Sequence, residues 1–87
     1  MSDLEFDILD QLYFVIGLEE LSNEMQMSAD ELWISLQKMI EKGWVKVMLY
    51  QSDEEVELSQ VSVTSLYQYV FLATKKGLLA HNSKWVK

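Results

Sequence analysis

Gln37 and Lys38 stand side by side in a stretch with helical periodicity, and they carry the clearest recognition chemistry in this chain. A glutamine amide can bond two atoms on the edge of adenine, and a lysine can meet guanine or a phosphate. Lys42, Lys46, Lys75 and Lys76 add cations that could reach a nucleic-acid backbone. A second candidate set is apolar: Trp33, Ile34, Tyr67, Tyr69 and Phe71 could form a patch for a protein partner. Catalysis has little to work with. There is no cysteine, so there is no thiolate metal site, disulfide or cysteine nucleophile. The one histidine, His81, reads as a surface residue of the last helix, without the partners a triad or metal cluster needs. Asp53, Glu54, Glu55 and Glu57 lack the ligand alternation and central glycine of a calcium loop and read as a solvated turn. Asp3, Asp7 and Asp10 read as a solvated helix face, with a metal site as the remote alternative. The expectation is a protein that is not an enzyme and carries no cofactor or metal.

Charge bears directly on these candidates. The formal net charge is -7, with 14 carboxylates against 7 cations, and every cation is lysine. Nucleic-acid binders usually carry a basic stripe, and arginine makes the commonest specific base contact. Neither feature is present. The 87 residues make one domain, 1–87, and 49% are apolar, enough for a core. A chain of this size buries only about 60–65% of its unfolded surface. The N-terminal stretch is acidic and lacks a long apolar run, so the expectation is a cytoplasmic protein with neither a secretory signal nor a membrane span.

The elements that must position the candidates are legible from spacing. Ser28 and Glu31 form a capping box. Leu32, Leu36, Met39 and Ile40 then recur at helical spacing, and Gly43 can end the helix in the left-handed conformation. A shorter helix spans about Leu18 to Met25, with Gln26 and Met27 in the turn between and Met27 in the angle. This is a helix-turn-helix. Helical spacing puts Asp30, Ile34, Gln37, Lys38 and Glu41 on its outward face, with Trp33 at the border. From Trp44 to Gln51 the period becomes two, the mark of a strand.

This run resembles the helix-turn-helix of winged-helix regulators of the MarR type. Leu21, Met25, Met27, Ser28, Leu36, Ile40, Glu41, Lys42, Gly43 and Val45 match its pattern. A later motif, carried by Leu72, Thr74, Lys76 and Gly77, resembles the segment that follows the wing in those families. The resemblance covers roughly Gly17 to Leu79. It implies a fold with the second helix in the DNA major groove and the wing against the backbone or minor groove.

The remaining segments fit around that centre. Ser2 and Glu5 form another capping box, and Phe6, Leu9, Tyr13 and Ile16, with Leu12, give an inward stripe. A short strand can follow at Phe14 to Ile16, before Gly17. The connection from Ser52 to about Ser65 holds either a short helical turn or more strand. Leu66 to Leu72 reads as the returning strand, with Leu66, Val70 and Leu72 on one face and Tyr67, Tyr69 and Phe71 on the other. Both faces are apolar, so the C-terminal segment or a partner subunit should cover the second. Thr74 caps a last helix, with Leu78, Leu79 and Trp85 as inward candidates. Lys75 and Lys76 in its first turn oppose the helix dipole, a hint of phosphate contact.

The expected architecture is α+β: a winged helix-turn-helix with a three-helix core, a small antiparallel β-wing and a C-terminal helix. Two functions follow. One is a small DNA-binding transcription regulator, a possible homodimer on double-stranded DNA, using Gln37, Lys38, Lys42, Lys46, Lys75 and Lys76. The other is an acidic protein-interaction module without DNA binding, using Trp33, Ile34, Tyr67, Tyr69 and Phe71.

Overall fold

Two capping boxes start the helices that frame the molecule, which a computed structural model describes over residues 1–52 and 54–83. Asp53 and Trp85 therefore lie outside the described residues. At the first box the Glu5 amide donates to Ser2 Oγ at 3.1 Å and the Ser2 amide to Glu5 Oε1 at 2.9 Å, opening α1, Asp3–Gln11. Ile8 and Leu9 are its buried residues, and Leu12, just past its end, is buried beside them. The predicted stripe shifts accordingly. The helix stops at Gln11, so Tyr13 falls in the turn beyond it and is exposed, while Ile8 takes the inward place.

β1, Ile16–Gly17, follows and leads straight into α2, Leu18–Met25. A three-residue turn, Gln26 to Ser28, joins α2 to α3, Ala29–Glu41. Gln26 adopts φ 55°, a left-handed conformation that costs a residue with a Cβ about 1–2 kcal/mol. The turn is fastened from within: Ser22 Oγ donates to the Met27 carbonyl, and Met27 packs against the core as its position predicts. The second box, with the Glu31 amide donating to Ser28 Oγ at 3.2 Å, starts α3.

Gly43 ends α3 at φ 79°. Its amide donates to Ile40 O and that of Trp44 to Met39 O, both at 2.9 Å. This pair of bonds satisfies carbonyls that the helix end would otherwise orphan, and it turns the chain into a strand. β2 is Val45–Leu49, β3 is Glu55–Val56, β4 is Tyr69–Ala73, and α4 is Lys75–Ser83. The four strands form one antiparallel sheet in the order β1-β4-β2-β3.

Register decides what faces inward. Val45, Val47 and Leu49 pair with Ala73, Phe71 and Tyr69, and this set looks onto the helices. Tyr69 and Phe71 are thus core residues, and Phe71 is fully buried. The even positions, Met48 and Val70 among them, face the other way and lie outside the main core cluster. The returning strand is also shorter than its composition suggests. Residues Leu66 to Gln68 belong to a 3-10 segment, Val63–Gln68, and pairing begins only at Tyr69. A smaller 3-10 turn, Leu58–Gln60, and the two-residue β3 fill the connection whose conformation the sequence left open. The result is an α+β domain of helices packed on a four-stranded antiparallel sheet. No described helix is long and apolar enough to cross a membrane.

α4 docks through backbone. The Thr74 amide donates to Trp44 O at 2.9 Å, its hydroxyl donates to Gly43 O at 2.5 Å, and the same oxygen accepts the Gly77 amide at 3.0 Å. The predicted cap is therefore present and also ties α4 to the end of α3. At Gly77 an added Cβ would lie 2.0 Å from the Trp44 carbonyl oxygen, so only glycine allows this approach. The inward face of α4 is formed by Gly77 and His81, one turn apart, with Leu78 half-buried. Leu79, predicted inward, is exposed.

Candidate interaction surface of the third helix and the hairpin

α3 offers solvent the face that its spacing predicts. Asp30, Ile34, Lys38 and Glu41 are exposed and Gln37 is half-buried. Ile34 is 57% exposed, a single large aliphatic side chain among charges. Trp33 does not join it. It is 8% exposed, with its ring centroid 6.3 Å from that of Phe71, so α3 rests on the sheet through this pair. Of the five aromatic and aliphatic residues expected to meet a partner, Trp33, Tyr69 and Phe71 are core. Only Ile34 and Tyr67 remain accessible, and Tyr67 sits in the 3-10 segment rather than on a strand.

Among the described residues the lysines do not form a continuous basic stripe. Lys42 is engaged: its Nζ lies 3.0 Å from Glu5 Oε2 and 4.6 Å from the centroid of the Trp44 ring. This bridge joins the start of α1 to the end of α3. Partial burial pushes the Glu5 carboxyl up, but bonds from the Ser2 backbone, the Lys42 ammonium and the Ser2 side chain outweigh it, so Glu5 ionises below its ordinary value. The Lys76 side chain lies over Gly43. Lys38 is in the last turn of α3 and Lys42 caps it. These three cations therefore gather at the carbonyl end of α3, where the helix dipole favours positive charge. Lys46 is half-buried on β2 and lines an open groove of about 530 Å³ together with Glu41, Glu55 and Glu57. Lys75 is exposed at the start of α4.

His81 departs most from the reading of its sequence. It is 5% exposed and stacks on Phe6 with ring centroids 4.1 Å apart. Its Nδ1 is 2.9 Å from the Tyr13 hydroxyl, and its Nε2 is 3.5 Å from an Asp10 carboxylate oxygen. The cluster seals α1 against α4. The i, i+4 placement of Gly77 and His81 is the local signal that could have marked them as the inward stripe. Two further aromatics, outside both candidate sets, are exposed: Tyr50, at 70%, and Phe14.

Among the described residues, no group of three or more His, Cys, Asp or Glu side chains is arranged to hold a metal ion. No protein-family model matches this chain. No curated protein matches it significantly, and no solved structure does so either.

Proposed function

We propose that this chain is a winged-helix domain acting as an acidic protein-interaction module. The order of elements supports the first half of the reading. Two helices joined by a three-residue turn lead directly into a strand, a hairpin partner and a returning strand. The charge distribution supports the second half, and one observation carries it: Lys46 shares its groove with three glutamates. Lys42, besides, is bound to Glu5. Asp30, Glu31 and Glu41 on α3, with Glu54, Glu55 and Glu57 on the hairpin segment, would meet DNA phosphates with like charge. Binding to nucleic acid draws most of its non-specific affinity from cations, so such a surface disfavours a duplex. Ile34, exposed within this charged rim, is the side chain best placed to bury itself against a protein.

A second reading keeps the resemblance to MarR-type regulators. Gln37 and Lys38 are adjacent on α3, and Lys38, Lys42 and Lys76 cluster at its end. A dimer that brought two such corners together would give DNA a cationic groove. The experiment that separates the readings is anisotropy of a labelled mixed-sequence duplex, titrated at low salt and again with added salt. The interaction-module reading expects no binding even at low salt. Binding that falls steeply with salt, and that a Lys38→Ala, Lys46→Ala double variant abolishes, would overturn it in favour of the regulator. For the module, Ile34→Asp should remove partner binding and leave the fold intact.

A further inference from the structure

The surface around Tyr67 is concave on several sides. Tyr67 is 81% exposed near the end of the second 3-10 segment, and Tyr50 is 70% exposed just beyond β2. The Tyr50 amide donates to Gln68 O at 2.8 Å, which fixes the two tyrosines on neighbouring stretches of backbone. Between this pair and the start of α2 lies a cleft of about 250 Å³. Tyr50, Tyr67, the buried Tyr69, Glu19 and Glu20 line it. Tyr69 is held by its hydroxyl, which accepts the Ser62 amide at 3.0 Å. Two further clefts adjoin Tyr67: one of about 460 Å³ toward Gln51 and Ser52, and one of about 340 Å³ toward Val63 and Leu66.

Chemistry narrows what this surface can hold. Glu19 and Glu20 are exposed in the first turn of α2 and have no ion-pair partner among the described residues. No described lysine lines any of the three clefts. The site is therefore anionic and aromatic at once. Tyrosine faces are electron-rich and attract cations, and carboxylates do so more strongly. A guanidinium meets both demands together, because its flat face stacks on a ring while its edge donates two parallel bonds to a carboxylate. An ammonium offers a more strongly hydrated point charge and no plane to stack. The cleft of about 250 Å³ that both glutamates line is smaller than the roughly 300–1,000 Å³ usual for small-molecule sites and suits one side chain. Its neighbours on either side of Tyr67 leave room for the residues flanking that side chain.

We propose that the Tyr50–Tyr67 cleft anchors an arginine side chain on a basic, extended segment of a partner protein. The proposal takes its class of partner from the interaction-module reading. It concerns a different surface, since Ile34 lines none of these clefts.

The test is a titration of the isotope-labelled protein with an acetylated hexaarginine amide, followed by amide chemical shifts at low and at physiological salt. Saturable shifts should centre on Glu19, Glu20, Tyr50 and Tyr67. Tyr67→Ala should weaken binding about fivefold, Tyr67→Phe should retain it, and a Glu19→Gln, Glu20→Gln double variant should weaken it further. Hexalysine should bind less well, and Ile34→Asp should change nothing. The double variant keeps the test alive if Tyr67→Ala fails to fold. Shifts spread over Glu54 to Glu57 and insensitive to Tyr67→Ala would overturn the proposal in favour of diffuse charge attraction, as would equal binding of hexalysine. Binding of tetramethylammonium without binding of hexaarginine would replace the peptide with a small cation. A complete lack of hexaarginine binding would remove the cleft but leave the duplex and Ile34 experiments to judge the interaction-module reading separately.

Discussion

The hydroxyl of Tyr13 lies 2.9 Å from Nδ1 of His81, joining the turn after α1 to the last described helix. It also lies 3.2 Å from Asn82 Oδ1. His81 is almost entirely buried, so water cannot replace a lost partner. Tyr13→Phe should therefore cost about 1–2 kcal/mol, the penalty of leaving a buried polar atom unpaired. Urea unfolding would read it as a lower midpoint at unchanged slope. A midpoint equal to that of the parent would mean the contact contributes nothing.

Gln26 occupies a left-handed position that a glycine would adopt without steric strain. Its side chain is exposed, so little packing is lost on removal. Gln26→Gly should raise stability by about 0.5–1 kcal/mol, part of the strain of a Cβ there being offset by glycine's greater freedom when unfolded. A small rise in thermal midpoint, of a few degrees for a domain of this size, is the expected signal.

Gly77→Ala tests the docking of α4. The added carbon would overlap the Trp44 carbonyl, a backbone atom that cannot rotate away. Either α4 shifts outward or the corner after Gly43 deforms. The expected cost is about 1–3 kcal/mol, the usual range for overpacking. Amide exchange should quicken selectively in α4 and at Thr74, whose bonds to Gly43 and Trp44 define the joint. Unaltered exchange there would show that the approach is looser than the structure has it.

Glu5 gives a pH dependence with a definite sign. Its folded-state ionisation lies below the ordinary 4.5. The carboxylate's contribution is thus fully present above that value and is lost as pH falls through the lower, folded one. Replacing it by glutamine should cost less than about 1 kcal/mol at neutral pH, because the Lys42 partner is partly exposed. The gap in stability between the parent and Glu5→Gln should close as acid is added. A gap that stayed constant from neutral to strongly acid pH would show that the hydrogen bonds of the cap, and not the charge, matter.

Local chemistry explains how much of this structure could be read in advance. The Ser2–Glu5 and Ser28–Glu31 boxes, the Gly43 terminator and the Thr74 cap involve residues a few positions apart, and each appears where its spacing places it. The faces of β4 were harder. Val70 and Leu72 alternate with Tyr69 and Phe71, so both phases are apolar, and composition cannot say which one points inward. Only the register with Val45, Val47 and Leu49 resolves it. The outward face of α3 was legible from helical spacing, apart from Trp33, which that spacing left on the border. The spacing of His81 from Gly77 hints at its inward position, but its partners were not legible, because Phe6, Asp10 and Tyr13 are distant in sequence and carry no local pattern pointing to it. The cleft at Tyr50 and Tyr67 was hidden for the same reason, compounded by a 3-10 segment where alternation suggested strand.

The brevity of the two outer strands has a consequence for behaviour in a crowded solution. β1 and β3 flank the sheet and are two residues long each. A foreign strand pairing along either side would find a foothold of two residues, with a glycine at one side and a glutamate at the other. That is too little for a growing stack of chains to template upon. The net charge of -7 adds mutual repulsion between copies to this protection, which counters the exposure of Phe14, Tyr50 and Tyr67.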